Sequence, residues 1–209
     1  AKNYPVQDFN ETCAYVATQI QRAVGNQPYF LVGYSLGGRI ALYYTLYSQQ
    51  EKYNLQGLII EGGNLGLCDE EEKKVRWKND VFWAQRFSCE MAKSVLNDWY
   101  QQTVFAHLTE GQRRALIEQR QANCGDNIAQ MLLATSLAKQ PDLRPYVKNS
   151  PYPIYYFCGE RDHKFKQMAL DNQLNLSLIP NAGHNAHQEN PMAFAAQLNA
   201  LLRDKFIAF

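Results

Sequence analysis

Gly33-Tyr34-Ser35-Leu36-Gly37 decides the fold. These five residues follow an apolar run, Tyr29-Phe30-Leu31-Val32, and precede a helix-compatible run from Gly38 to Tyr44. An apolar strand, a G-x-S-x-G and a helix, in that order, form the pattern of a nucleophile elbow. On a very sharp strand-to-helix turn the chain passes close to itself two residues either side of the serine. A side chain at either place would clash, so glycine is used. The following helix aims its N-terminal N–H groups at the serine, where they favour developing negative charge. The bare pentapeptide also occurs as an ordinary Gly-rich turn with an idle serine, so the flanking strand and helix carry the reading.

Working outward, residues 7–24 predict an amphipathic helix. Phe9, Cys13, Val16, Ile20 and Val24 recur at helical spacing, and Asp8 with Glu11 resembles a capping box. The elbow strand is expected over 29–33 and its helix over about 36–48. Leu55 to Glu61 reads as a second buried strand, ended by Gly62-Gly63. Residues 64–150 break this rhythm. A charged stretch, Asp69 to Lys74, precedes helical patterns over about 80–99, after Thr109 (with Gln112 completing a capping box), and over about 126–138. Strands resume at Ile154 to Cys158 and Leu176 to Ile179, and a helix closes the chain after Asn190-Pro191. Apolar strands alternating with helices indicate a mostly parallel sheet covered on both faces. The fold class is therefore α/β, with residues 1–63 and 151–209 forming the core and 64–150 a helical lid insertion.

At 209 residues, with 46% hydrophobic and 20% charged residues, the chain has the balance of a globular protein. Its net charge of +1 supplies no global field for nucleic acid or acidic membranes. No apolar run approaches the ~20 residues of a membrane helix. Five scattered cysteines without a C-x-x-C suggest reduced thiols and a cytoplasmic setting.

A serine nucleophile needs a base within hydrogen-bond reach and a carboxylate that orients the base. Asp162 follows the strand at 154–158, and His184 follows the strand at 176–179. The order Ser35, Asp162, His184 is the one this fold type uses. Glu160 is an alternative acid, nearer its strand end. His163 reads as an exposed neighbour, His107 as structural, and Cys158 as buried in its strand. His184 and His187 form an H-x-x-H, but no carboxylate or cysteine set completes a metal site, so neither metal nor cofactor is expected. The N–H of Leu36 is the expected first oxyanion donor, with a second from a loop after an early strand. Only one helix precedes the elbow here. The N-terminal strands of the fold are thus expected to be missing from this sequence or supplied by another chain. That would leave the elbow strand near an exposed sheet edge open to association. Arg39, one helical turn after Ser35, is a candidate for clamping a carboxylate. Most other charges of the insertion read as surface pairs.

These residues resemble the α/β-hydrolase superfamily and, within it, the pyruvate-eliminating synthases of menaquinone biosynthesis. The matching stretches are Leu31 to Arg39, Glu61-Gly62-Gly63, Trp83 to Phe87, Asp98 to Gln102, Cys158 to Asp162 and Ala182 to His187. The resemblance implies a carbon–oxygen lyase rather than a hydrolase. Its Ser-His-Asp set would remove a proton beside a succinyl carbonyl, and the electrons would expel pyruvate without an acyl-enzyme. It also implies Tyr34, Arg39, Arg76, Trp99 and Arg120 as binding positions for a small polycarboxylate substrate. Two other readings of the same triad stand beside it. One is an esterase, thioesterase or carbon–carbon hydrolase; the other is a fold that retains the site without the chemistry.

Overall fold

The computed structural model describes residues 5–206; residues 1–4 and 207–209, the outer ends of the two expected core segments, lie outside the described residues. Asp8 caps the first helix, α1 (Phe9–Val24), by accepting the Glu11 N–H at 2.9 Å. The reciprocal arm of the expected capping box is displaced by one residue: the Glu11 carboxylate accepts from the Gln7 N–H, not from Asp8. Then follow β1 (Tyr29–Tyr34), α2 (Leu36–Leu46) and β2 (Leu55–Glu61). The helical insertion contributes α3 (Glu70–Cys89), α4 (Ala92–Trp99), α5 (Glu110–Arg120), α6 (Gly125–Ala134) and α7 (Arg144–Lys148). The core resumes with β3 (Ile154–Gly159), α8 (His163–Asp171), β4 (Asn175–Ile179), α9 (Ala186–Glu189) and α10 (Pro191–Phe206).

The four strands form one parallel sheet in the order β1-β2-β3-β4. Side chains alternate across it as strand geometry requires. Leu58, Ile60, Tyr156 and Cys158 meet residues of α1, α2 and α8 on one face. Ile59, Tyr155, Phe157 and Ile179 meet Phe194 and Leu198 of α10 on the other. Each strand is therefore apolar nearly throughout, which is why the sequence shows runs rather than alternation. The register pairs Tyr34 with Glu61, Glu61 with Phe157 and Gly159 with Ile179. The C-terminal ends of all four strands thus lie in line, and the loops that leave them share one rim. β1 is an edge strand among the described residues, with Val32 half exposed.

Two expected boundaries are corrected. The helix expected at about 80–99 is two helices, and the first begins at Glu70. The charged stretch is its opening turn: Asp69 accepts the Glu72 N–H at 2.8 Å, and acidic residues lie at the positive end of the helix dipole. Lys73 and Lys74 then pair with Glu70 and Glu71, three residues back. Glu90 is extended and ends α3, and Arg86 spans the break by donating to both Glu90 and Asp98. The pattern at 126–138 likewise splits into α6 and a short 3-10 turn, Leu137–Lys139. It breaks where Ser136 donates its hydroxyl to the buried Asp80 at 2.7 Å. Trp83, Phe87, Val95, Tyr100, Phe105, Leu116 and Ile117 give the insertion a core of its own. No described helix is long and apolar enough to cross a membrane.

Candidate active site

Ser35 stands between β1 and α2 with φ 49° and ψ −110°, a strained backbone for a non-glycine residue. Its N–H donates to the Glu61 carbonyl at 2.8 Å, which carries the β1–β2 ladder one residue past the strand. The steric argument for the elbow glycines holds at one of its two positions. A Cβ at Gly33 would lie 2.6 Å from the Gly37 carbonyl oxygen, whereas one at Gly37 would meet nothing within 4 Å. The second crowded position is Gly38, whose Cβ would lie 3.0 Å from the Gly33 oxygen and 3.1 Å from Ile60. The first turn of α2 is thus pressed against β1 and β2, and this raises the serine above the sheet.

The loops after β3 and β4 bring the other two members. Asp162 caps α8 through Oδ1, which accepts the Phe165 N–H at 3.3 Å. Its Oδ2 lies 2.8 Å from His184 Nδ1. His184 Nε2 lies 3.0 Å from Ser35 Oγ. With Nδ1–H donating to the carboxylate, Nε2 is left as the acceptor for the serine proton. Asp162 and His184 are both buried. The imidazole is walled by three rings: Phe165 stacked at 4.8 Å, Tyr34 at 5.4 Å and Phe105 at 6.3 Å. Gly62, at φ 58°, completes the enclosure, since a Cβ there would lie 2.7 Å from the ring's Cε1. Glu160 is exposed and accepts the Asn181 N–H, so the alternative acid is not the one that meets the base. His163 is exposed on α8. Burial pushes the Cys158 thiol up to about 12, which makes it a poor nucleophile. α2 starts at Leu36, so its N–H is among the four at a helix start without an intrahelical acceptor.

The expected binding residues do not all stand alike. Arg39 is buried. It donates to Gln140 Oε1 at 3.2 Å, and Gln140 in turn donates to the Asn64 carbonyl at 2.9 Å. Among the described residues no carboxylate forms an ion pair with it. Burial first, then the charge of Arg76, pull its pKa down to about 9, against an opposing pull from Asp80. Arg76 is itself held by Asp80 at 2.8 and 3.0 Å. Tyr34 donates its hydroxyl to Asn185 Oδ1 at 2.7 Å, and burial, then the charge of Glu61, hold that hydroxyl protonated well above its ordinary range. Arg120 donates to the Tyr100 hydroxyl at 2.5 Å, and its charge also reaches Tyr34. Trp99 is one ring removed: it packs on Trp83, Phe87 and Phe105, and only Phe105 meets His184. A cavity of about 310 Å³ opens between α5 and Gln188, so the insertion forms one wall beside the loop of the base.

Several site residues went unread in the sequence. Asn64, Asp80, Ser136 and Gln140 hold the two arginines, but nothing in their local pattern marks them. Glu61 did carry a signal, a carboxylate as the last residue of a buried strand. It is buried, and it accepts from His187 Nδ1 at 2.8 Å. The two histidines of the H-x-x-H thus serve different carboxylates. Among the described residues no three His, Cys, Asp or Glu side chains converge as a metal centre. His107, read as structural, lies against the same loop: a Cβ at Gly183 would fall 2.7 Å from it.

A serine on an elbow after a parallel strand, a carboxylate and an imidazole on later strand ends, and helices inserted over that rim together define a class. Residues 2–191 match the family model described as the alpha/beta hydrolase fold, and the chain belongs to that family. Relatives within it carry one specific name. A Serratia proteamaculans protein, 47% identical over 194 residues, is named 2-succinyl-6-hydroxy-2,4-cyclohexadiene-1-carboxylate synthase; the match spans 93% of this chain and 75% of that protein. A Haemophilus influenzae protein, 56% identical over 204 residues and matched over 97% of this chain and 83% of its own, carries the same name provisionally. Among solved structures, MenH from S. aureus superposes with a TM-score of 0.85 at 24% identity, covering 95% of this chain and 76% of that one. The last likeness speaks for the fold.

Proposed function

We propose that this chain is the lyase its relatives' name describes, forming 2-succinyl-6-hydroxy-2,4-cyclohexadiene-1-carboxylate in menaquinone biosynthesis. Its substrate would be the hydroxycyclohexene carboxylate that bears succinyl and enolpyruvyl groups. His184, oriented by Asp162, takes the Ser35 proton, and the serine oxygen removes the proton beside the succinyl carbonyl. The electron pair moves onto the carbonyl oxygen, where the Leu36 N–H and the start of α2 favour the charge. As the carbonyl re-forms, a ring double bond forms, the carbon–oxygen bond to the enolpyruvyl group breaks, and pyruvate leaves with a proton returned from His184. Water is not consumed and no acyl-enzyme forms.

One observation carries this reading over the esterase: Arg39, buried one turn from Ser35, has no carboxylate counter-ion among the described residues. A guanidinium left in that state is suited to an anion brought by the substrate. Arg76 beside it and Arg120 near Tyr34 add positive charge where several carboxylates must be held. Five free cysteines support a cytoplasmic setting. The test is pyruvate release from the enzymatically generated substrate, followed through a coupled lactate dehydrogenase. Release that vanishes in Ser35→Ala supports the lyase. Absent release, with a Ser35-dependent burst on an activated ester, returns the chain to the esterases.

A further inference from the structure

The base lies on a segment too short to hold itself. His184 occupies a coil between β4 and the four-residue α9, so its backbone N–H groups have no ladder or helix to join. Two carboxylates take them up instead. Glu189 accepts the Gly183 N–H through Oε2 at 2.8 Å and the Asn185 N–H through Oε1 at 3.1 Å, one on each side of His184. Glu61 accepts the His187 N–H at 3.0 Å and the same residue's Nδ1 at 2.8 Å. Glu61 also holds the nucleophile, because its backbone carbonyl receives the Ser35 N–H. Asn185 closes the circuit by accepting the Tyr34 hydroxyl. Bonds from an N–H to an ionised carboxylate are about twice as strong as neutral ones, and this pair spans the segment from 183 to 187.

We propose that Glu61 and Glu189 are positioning residues for the base: together they fix the His184 loop against the elbow, so that Nε2 meets Ser35 while Nδ1 meets Asp162. This inference rests on the triad reading above, but not on the identity of the substrate. Neither carboxylate touches the reacting atoms; both act through the backbone that carries His184.

Three variants test it: Glu189→Gln, Glu189→Ala and Glu61→Gln. Gln at 189 keeps one acceptor and presents an amide NH₂ to the other N–H; Ala keeps neither. The expected order of kcat is wild type, then Gln, then Ala, with a loss of about 100-fold at the low end, the scale of a misplacement near 1 Å, and little change in KM. The second readout is the downfield proton resonance of His184 Nδ1–H, recorded without substrate. In Glu189→Gln and Glu61→Gln it is expected to shift or exchange-broaden while the thermal midpoint still reports folded protein. An unmoved resonance, with activity lost only in proportion to the folded fraction, would overturn the proposal and leave the carboxylates as ordinary loop supports. Should Glu189→Ala not fold, the two Gln variants decide. Since the resonance needs no turnover, it reports on the brace even if the wild-type protein releases no pyruvate.

Discussion

Arg39 shows what a buried guanidinium costs when, among the described residues, no carboxylate pairs with it. At neutral pH it is charged both in the folded and in the unfolded chain, but the folded site holds the charge less well, as its pKa near 9 records. The sign follows. The unfolded chain binds this proton more tightly, so the charged side chain subtracts stability throughout the neutral range, and the penalty shrinks only as pH rises above about 9. Arg39→Met is therefore expected to raise stability by about 1 kcal/mol, the relief of a buried charge outweighing the lost bond to Gln140. Urea midpoints measure this, and a dicarboxylate such as succinate should raise the midpoint of the wild type but not that of the variant. Gly62 makes the opposite trade. Gly62→Ala would strain a φ of 58° and drive the new Cβ into the His184 ring. Expected are a fall in kcat of about 100-fold and a stability loss of about 1–2 kcal/mol. A full-rate Gly62→Ala enzyme would show that the ring has room to move.

At the level of elements, α3 carries Arg76 and Asp80, the proposed binding arginine and its partner, and stands on its cap. Asp69→Ala removes the acceptor for the Glu72 N–H and is expected to cost about 1 kcal/mol, read from the thermal midpoint. Arg76 and Asp80 lie two and three turns further on, so kcat should hold while KM rises modestly if the first turn frays. The helix was misplaced in the sequence because charged residues at its start are exposed and give no apolar period. Its end was missed because the break at Glu90 is fixed by Arg86 reaching forward to Asp98, a contact between two helices. By contrast Thr109 with Gln112 forms the complete capping box that the sequence indicated: both arms lie within four residues, so local chemistry suffices.

For the whole molecule, the in-line strand ends matter most. One parallel sheet with matched register delivers Ser35, Glu61, Asp162 and His184 to one rim from four separate stretches of chain. Removing the base tests the arrangement as a unit: His184→Ala is expected to lower kcat by about 10⁴-fold or more with a small change in stability. Loss of folding in proportion to loss of rate would mark the imidazole as a packing residue. Among the described residues the sheet also leaves β1 as an edge, with Val32 half exposed. As a proposed pairing surface this edge is tested by Val32→Lys, expected to weaken any concentration-dependent association in sedimentation velocity, since a charge on an edge strand opposes pairing.

The sequence by itself determined the elements that depend on local rules. These are the elbow, the apolar strands, the order of serine, acid and histidine, and the helical character of the long insertion. Periodicity, glycine sterics and caps act over a few residues and are written in them. Tertiary structure alone decided which residues meet. It chose Asp162 over Glu160 for the base, gave His187 to Glu61, set Gln140 and Asn64 behind Arg39, and made Gly38 rather than Gly37 the crowded glycine of the turn. Each of those outcomes depends on separations of a few ångströms between residues up to 126 positions apart in the chain, and only the packed sheet and its inserted helices set such distances.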